Sequence, residues 1–565
     1  MTNTIYDTTH ESDLIMLVGS NPEHAHPVIG MQIRQAVAAG KKLIVVDPRK
    51  TDLSKKADVH LQLRPGTNVA FANGMMRIII EEGLYDKEFV ENYTEVDKFE
   101  ELKKNVEKYT PEVVAEICRI DPKDLIQAAR LYATAKAAPI FYCLGVTEHS
   151  RGTEGVMSLS NLAMICGKIG RPGCGVCPVR GQNNVQGACD MGALPTDFPG
   201  YQKLSNPDVV KKFEEAWGVE LNKKEGTKAT ECFDKMVEGE IKGLFIFGED
   251  PMTTDPDTNH IIKALKSLDF LVVDELFMTE TAKFADVVLP GRAYGEKEGT
   301  FSNTERRVQR IRKAVEGPGN SRLDTWIFTE IMNRMGYNQP HLTAAEIMDE
   351  IASVTPSFGG ISHARLDSPE INGQGIQWPC PTKDHPGTPI LHKDGKFSRG
   401  KGTYYIANYV PSRELPDEEY PLLMMTGRIL YHYNNCAMTG HEDGINNIAG
   451  HSFIEINTKD AEKAGIVDGE WIRVTSRRSS IRTMAVVSDK TNPGECWMPF
   501  HFKDGNANWL TIDSLDTISK APEYKVCAVR IDKATENDVK VDNYLEVTIL
   551  DDEPEDNDSA CKCCG

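Results

Sequence analysis

Leu14-Ile15-Met16-Leu17-Val18-Gly19-Ser20-Asn21-Pro22 is a run of five apolar residues cut off by a turn. A run this short, bounded by Gly, Asn and Pro, reads as a buried strand. A helical stretch follows from about Val28 to Ala39, and Gly40 stops it. A second apolar run, Leu43-Ile44-Val45-Val46, then ends in Asp47-Pro48-Arg49. Strand, helix and strand with short connections make a parallel βαβ unit with a right-handed crossover. Ala57-Asp58-Val59-His60-Leu61 reads as a third strand.

The pattern returns. Leu244-Phe245-Ile246-Phe247 runs into Gly248-Glu249-Asp250-Pro251, a helical stretch follows, and Leu271-Val272-Val273 ends in Asp274-Glu275. Ala285-Asp286-Val287-Val288-Leu289 takes the place of residues 57–61. Gly19 and Gly248 are 229 positions apart, Asp47 and Asp274 227, Asp58 and Asp286 228. Such constant spacing marks an internal duplication of a doubly wound α/β unit. In these sheets ligands bind at the carboxyl ends of the strands. Gly admits a phosphate close to the backbone there, and an Asp ending the next strand accepts hydrogen bonds from a ribose or a base. One Gly-x-Asn/Asp-Pro alone is turn chemistry; two copies with matching Asp residues point to two nucleotide-like sites. No Gly-x-Gly-x-x-Gly follows either strand and there is no P-loop, so a plain nicotinamide dehydrogenase is not supported.

The rest of the composition sets bounds. With 565 residues the chain is long enough for three or four lobes. Its formal charge of -20 argues against nucleic acid or an acidic membrane as partner, so an anionic substrate must be drawn by local Arg residues. No apolar run approaches the roughly 18 residues of a membrane span. The first residues resemble neither a signal peptide nor a basic targeting segment, and fourteen cysteines without one indicate reduced thiols and a cytoplasmic setting. Cys174-x-x-Cys177 with Cys189 lacks a fourth ligand at useful spacing and reads as core. The tail, acidic from Asp551 and ending Cys561-Lys562-Cys563-Cys564-Gly565, reads as disordered.

The densest motif is Arg180-Gly-Gln-Asn-Asn-Val-Gln-Gly-Ala-Cys-Asp-Met-Gly-Ala-Leu-Pro195. Side-chain amides crowded around one Arg suit a ligand rich in donors and acceptors, and the guanidinium fork suits a carboxylate or phosphate. The stretch resembles the signature of molybdopterin formate dehydrogenases. Gly19-Ser-Asn-Pro22, Asp47-Pro-Arg49, Arg64-Pro-Gly-Thr67, Gly145-Val-Thr147, Gly248-Glu-Asp-Pro251, Ala285-Asp-Val-Val-Leu-Pro290 and Thr426-Gly-Arg428 agree with that family in order. The likeness covers nearly the whole chain except the acidic tail.

The resemblance implies a bis(molybdopterin guanine dinucleotide) cofactor with molybdenum or tungsten. It implies an α/β fold: two pseudo-symmetric doubly wound domains around the cofactor and a C-terminal, double-psi-like β-barrel. The expected domains are 1–182 and 183–315 for the two guanosine-binding units, 316–403 for an α-rich connection, 404–550 for the barrel, and 551–565 for the tail. Gly19, Asn21, Asp47, Arg49 and Thr67 are expected along one guanosine arm. Gly248, Asp250, Thr254, Asp274 and Asp286 are expected along the other, with Leu144, Gly145 and Gln182 near the metal. Arg428, His432, Phe502, Asn508 and Lys525 are the barrel's expected pterin contacts. Arg180 is the expected anchor for formate, with a phosphate contact as its second reading.

The family's Cys or selenocysteine metal ligand and its four-cysteine 4Fe-4S site have no counterpart here, since no Cys precedes Cys118. A reading frame restarted after a selenocysteine codon is one expectation, with a naturally short, non-catalytic cofactor-binding homologue as its alternative. Formate oxidation to carbon dioxide is the expected activity, with a nitrate reductase of the same superfamily as the runner-up. The expected partners are formate or carbon dioxide and electron-transfer subunits or ferredoxin, with no nucleic acid and no membrane span.

Overall fold

The computed structural model describes residues 1–534; the expected tail at 551–565 lies outside them. Strands β1 (Leu14–Val18), β2 (Lys42–Val46), β3 (Val59–Leu61), β4 (Pro139–Tyr142) and β5 (Gly175–Pro178) form one parallel sheet in the order β3-β2-β1-β4-β5. Period-2 geometry divides β1 between two cores. Leu14, Met16 and Val18 face the helices Asn68–Glu81 and Gly152–Ile165, whereas Ile15 and Leu17 pack with Ile29 and Ile33 of helix Pro27–Ala38. Burial on both faces is why β1 reads as a continuous apolar run.

The second unit is smaller. Strands β6 (Gly243–Phe247), β7 (Phe270–Glu275) and β8 (Val287–Pro290) run parallel in the order β8-β7-β6. Ile246, Leu271 and Val273 pack toward helix Thr258–Lys266, while Phe245 and Phe247 meet Phe328 edge-on and stay partly exposed.

The duplication is real, and the strand register corrects its alignment. Val18 pairs with Val46 and Phe247 with Asp274. The Gly19 N–H donates to the Val46 carbonyl (2.8 Å) and the Gly248 N–H to the Asp274 carbonyl (2.9 Å). Residue 274 therefore corresponds to Val46, and the counterpart of Asp47 is Glu275. A one-residue slip puts a side chain on the opposite face of a sheet. Asp58 and Asp286 do match, but at the amino ends of their strands: their carboxylates accept from the Leu43 N–H (2.9 Å) and the Leu271 N–H (2.7 Å). Each pins two strands together at the end of the sheet away from the Gly turns.

Six strands, Leu422–Gly427, Glu495–Pro499, Phe453–Ile456, Ser480–Val487, Trp471–Thr475 and Cys527–Lys533, close into a barrel. Its interior, with Met424, Ile454, Ile472, Val474 and Met498, is continuous with the core of the second α/β unit. Residues near 404 do not belong to it. Tyr404 is buried in the first unit's core, Asn161 brackets the Tyr405 backbone (2.7 and 3.2 Å), and Asn73 donates to the Ala407 carbonyl. An antiparallel sheet of Gly299–Ser302, Arg307–Ile311 and Ile376–Gln377 likewise crosses the division expected at 315. Among the described residues no helix is long and apolar enough to cross a membrane.

Glu495 opens its barrel strand fully buried, and burial pushes its carboxyl up to about 7 despite Arg119 and Arg64. A raised folded pKa means the stability carried by the neutral acid is complete below the unfolded value and lost as pH rises through 7. Glu495→Gln is therefore expected to gain up to about 3 kcal/mol at pH 8 and no more than about 1 kcal/mol at pH 5. Thermal midpoints at both pH values check this; equal midpoints at pH 8 would show an ionised, paired Glu495.

Candidate ligand clefts at the strand ends

The carboxyl ends of β1 and β4 meet through two glycines. A Cβ on Gly19 would lie 2.5 Å from the Gly145 carbonyl carbon, and one on Gly145 would lie 2.7 Å from the Gly19 Cα. Gly19 has φ +53°, and the Gly145 N–H donates to the Gly19 carbonyl (3.1 Å). No side chain fits between these backbones. They floor a cleft that brings together Gly19, Asn21, Asp47, Arg49, Leu144, Gly145, Arg428 and Lys525.

The cleft is polar where its walls are least satisfied. Ser20 Oγ, Asn21 Oδ1 and Arg428 Nε are buried without a hydrogen-bond partner among the described residues. Burial pushes the Asp47 carboxyl up to about 6, although the Arg49 N–H bonds it (2.9 Å). Arg64 adds a cation to the wall. Lys525 is held by Glu148, and Arg428 Nη1 donates to the Gly181 carbonyl (2.8 Å) while its guanidinium lies over Phe500.

Arg49 has a further engagement. Its Nε and Nη2 grip both oxygens of Glu455, each at 2.6 Å, and its guanidinium stacks over Trp497 at 4.0 Å. Lys490 shares the Glu455 carboxylate (2.9 Å). Burial alone would raise Glu455, but the Arg49 and Lys490 bonds hold it below its usual range. One buried fork thus joins the first α/β unit to the barrel.

At the second set of strand ends, Gly248 (φ +60°) repeats the Gly19 turn. Asp250 is a fastener: Oδ1 accepts from the Thr281 N–H (2.9 Å) and hydroxyl (2.6 Å), Oδ2 from Thr253 Oγ1 (2.7 Å) and Asn435 Nδ2 (3.1 Å). Thr254 donates to the Asp250 carbonyl (3.1 Å). Asp274 Oδ2 is buried without a partner among the described residues, and burial, then Asp324, pushes its carboxyl up to about 6. Glu275, missed in the sequence, is pushed to about 7 by burial, like its counterpart Asp47. Its signal is register, which only a paired sheet supplies. Asp286 stands at the far end of the sheet and does not join this group.

Arg180 and Gln182 line a neighbouring cleft, walled by His26, Asn184, Gln186 and Thr304. Arg428, through Gly181, connects the two clefts. The Arg180 backbone is clamped twice: its N–H donates to Thr304 Oγ1 (3.1 Å), and its carbonyl meets His26 Nε2 (2.5 Å). Burial pushes His26 down to about 4, so it is neutral and donates. The side chain donates from Nε to Gln186 Oε1 (3.3 Å); among the described residues neither Nη atom has a hydrogen-bond partner. Gln182 bonds Asn434 (3.0 Å).

The remaining expected contacts are engaged elsewhere. Thr67 donates to the Arg64 carbonyl (2.6 Å), and Asn508 donates to the Thr253 carbonyl (2.9 Å). Both nitrogens of His432 are taken by Thr439 Oγ1 and the Ala449 carbonyl, with Phe502 packed edge-on to its ring. Cys174 and Cys177 are buried free thiols.

A family model described as Molybdopterin oxidoreductase matches residues 1–334, and one described as Molydopterin dinucleotide binding domain matches residues 422–528. The chain is 48% identical over 538 residues to the F420-dependent formate dehydrogenase 2 subunit alpha of Methanococcus maripaludis, covering 94% of this chain and 78% of that one. It is 41% identical to formate dehydrogenase H of Escherichia coli, covering 94% and 74%. In fold it is similar to acetylene hydratase from Pelobacter acetylenicus, with TM-score 0.71 and 22% identity over 94% of this chain and 79% of that one.

Proposed function

The chain belongs to the molybdopterin oxidoreductase family, and from that premise we propose that it is a formate dehydrogenase catalytic subunit in which Arg180 anchors the substrate. The observation that carries the substrate is Arg180 itself. It is a guanidinium with a clamped backbone, a pinned Nε and, among the described residues, two unpaired Nη donors in a cleft it shares with the side-chain amides of Gln182, Asn184 and Gln186.

The residues fit a pterin dinucleotide. The Gly19–Gly145 contact leaves bare backbone for a close-lying phosphate. Ser20, Asn21 and Arg428 hold unsatisfied polar atoms beside Arg64, which supplies positive charge. Asp274 offers an oxygen at the second strand ends, so we assign one dinucleotide to each α/β unit; the group would bring molybdenum or tungsten.

Formate oxidation gives carbon dioxide, one proton and two electrons. When bound, the metallopterin supplies the centre that accepts the electrons. The chain supplies position. Arg180 takes the two carboxylate oxygens in its fork and fixes where the C–H bond lies. Neutral His26 and Thr304 keep the Arg180 backbone from retreating, and Arg428 holds the next carbonyl against the dinucleotide cleft. The electrons leave to an electron-transfer partner.

Purified holoprotein, assayed for metal and pterin and for formate-dependent reduction of a viologen dye, tests this. Bound metallopterin with formate-driven reduction is the expected result. Metal-free protein that binds guanine nucleotides, or protein that oxidises reduced viologen with nitrate but does not use formate, overturns it.

A further inference from the structure

Asp190 is completely buried and lies 10 residues beyond Arg180; among the described residues no hydrogen bond joins the two. Three donors from three segments converge on its carboxylate. Oδ1 accepts from Gln186 Nε2 (2.8 Å) and the Tyr201 hydroxyl (2.9 Å), and Oδ2 accepts from Trp378 Nε1 (2.6 Å). Tyr201 is held at φ +59°, a conformation a non-glycine residue keeps only when its surroundings dictate it. Such a convergence on one acidic side chain next to the Arg180 loop calls for a role.

We propose that Asp190 is a positioning residue for the Arg180 anchor, because its acceptor-only carboxylate decides which end of the Gln186 amide faces the guanidinium. An amide has a donor end and an acceptor end. Burial pushes the Asp190 carboxyl above its ordinary range, but the donors from Gln186, Tyr201 and Trp378 oppose that push, and a carboxylate whose two oxygens take three donors presents only acceptors. With Asp190 opposite, Gln186 must turn its NH2 toward Asp190, where it also reaches the Tyr201 oxygen (3.0 Å). Its Oε1 then faces Arg180 Nε. That bond holds one edge of the guanidinium and leaves the two Nη donors for the substrate. With the amide reversed, NH2 would meet N–H, and the guanidinium would swing away from its bidentate pose. The inference rests on the reading of Arg180 as the formate anchor.

Asp190→Asn is nearly isosteric and replaces one acceptor with a donor. If its oxygen stays on Trp378, its NH2 meets Gln186 and turns that amide over. In the holoenzyme the KM for formate is expected to rise about tenfold with kcat changed less than about threefold. The formate-induced rise in thermal midpoint shrinks in parallel, a readout independent of turnover. The decisive variant is the double one. Asp190→Asn with Gln186→Glu restores complementarity, since the introduced amide donates to one oxygen of the introduced carboxylate and the other oxygen accepts from Arg180; the KM returns to near the wild-type value. A carboxylate that merely supports the fold predicts a lower thermal midpoint, an unchanged KM and no rescue. Gln186→Met, which leaves Asp190 its Tyr201 and Trp378 donors, raises the KM like Asp190→Asn; a wild-type KM in that variant overturns the proposal. Arg180→Ala separates the two levels. If it binds formate as wild type does, the anchor reading falls. If it loses formate while Asp190→Asn keeps a wild-type KM, the anchor stands and the positioning role falls.

Discussion

Arg180→Ala is expected to lower kcat/KM for formate about a thousandfold, and Arg180→Lys about a hundredfold. The backbone of residue 180 is held by Thr304 and His26, independently of its side chain, so truncation removes the fork without moving the loop. Lysine restores the charge but not the planar pair of donors that matches a carboxylate, and its flexible stem has no equivalent of the Nε–Gln186 bond. The gap between Lys and Ala therefore measures charge, and the gap between Arg and Lys measures geometry. Metal and pterin content are measured alongside. If both variants lose the cofactor and keep their residual KM for formate, Arg180 is a phosphate ligand and not a substrate anchor.

Glu455→Ala is the stability counterpart, expected to cost about 3–5 kcal/mol because it strands the buried Arg49 cation between Trp497 and Lys490. The loss depends on pH with a definite sign. The folded Glu455 pKa lies below its ordinary value, so the stability the pair confers is present above the unfolded carboxylate pKa and disappears as pH falls through the folded one. Wild type and variant should converge on acidification only once the pH has fallen below that depressed folded pKa. Arg49→Met with Glu455→Leu replaces the pair by apolar side chains and should recover most of the loss. Because Arg49 also lines the cleft, the double variant should remain folded yet bind less pterin dinucleotide. Full cofactor loading there would mean that Arg49 only joins the barrel to the first unit.

How legible each feature is in the sequence depends on the distance over which its residues act. Strand β1 is readable to the residue because burial on both faces leaves an uninterrupted apolar run. The duplication is readable from spacing, but its alignment is not. Matching Asp47 to Asp274 by residue type puts the acid one position off, and only hydrogen-bonded register identifies Glu275 as the counterpart. Asp286 looks like a ligand group by analogy, yet an Asp just before a strand caps its neighbour's N–H at the far edge. Arg49 is visible as a site residue, while its partner lies 406 positions away and no local pattern announces it. His432 is marked by family position, and its two ring nitrogens are satisfied within its own loop region. The Arg180 loop declares itself by composition; the order in which its amides point requires the fold.

The continuous core shared by the second α/β unit and the barrel bears on how the chain is made. Ile246, Leu271 and Val273 are covered in part by residues such as Ile454, Ile472 and Val529, which leave the ribosome some two hundred positions later. At roughly 5–20 residues per second, that apolar surface waits on the order of ten seconds or more for its cover. The first unit, whose β1–β5 core is built almost wholly from residues before 180, has no such delay. Translation speed and chaperone supply should therefore govern the yield of the second half far more than that of the first.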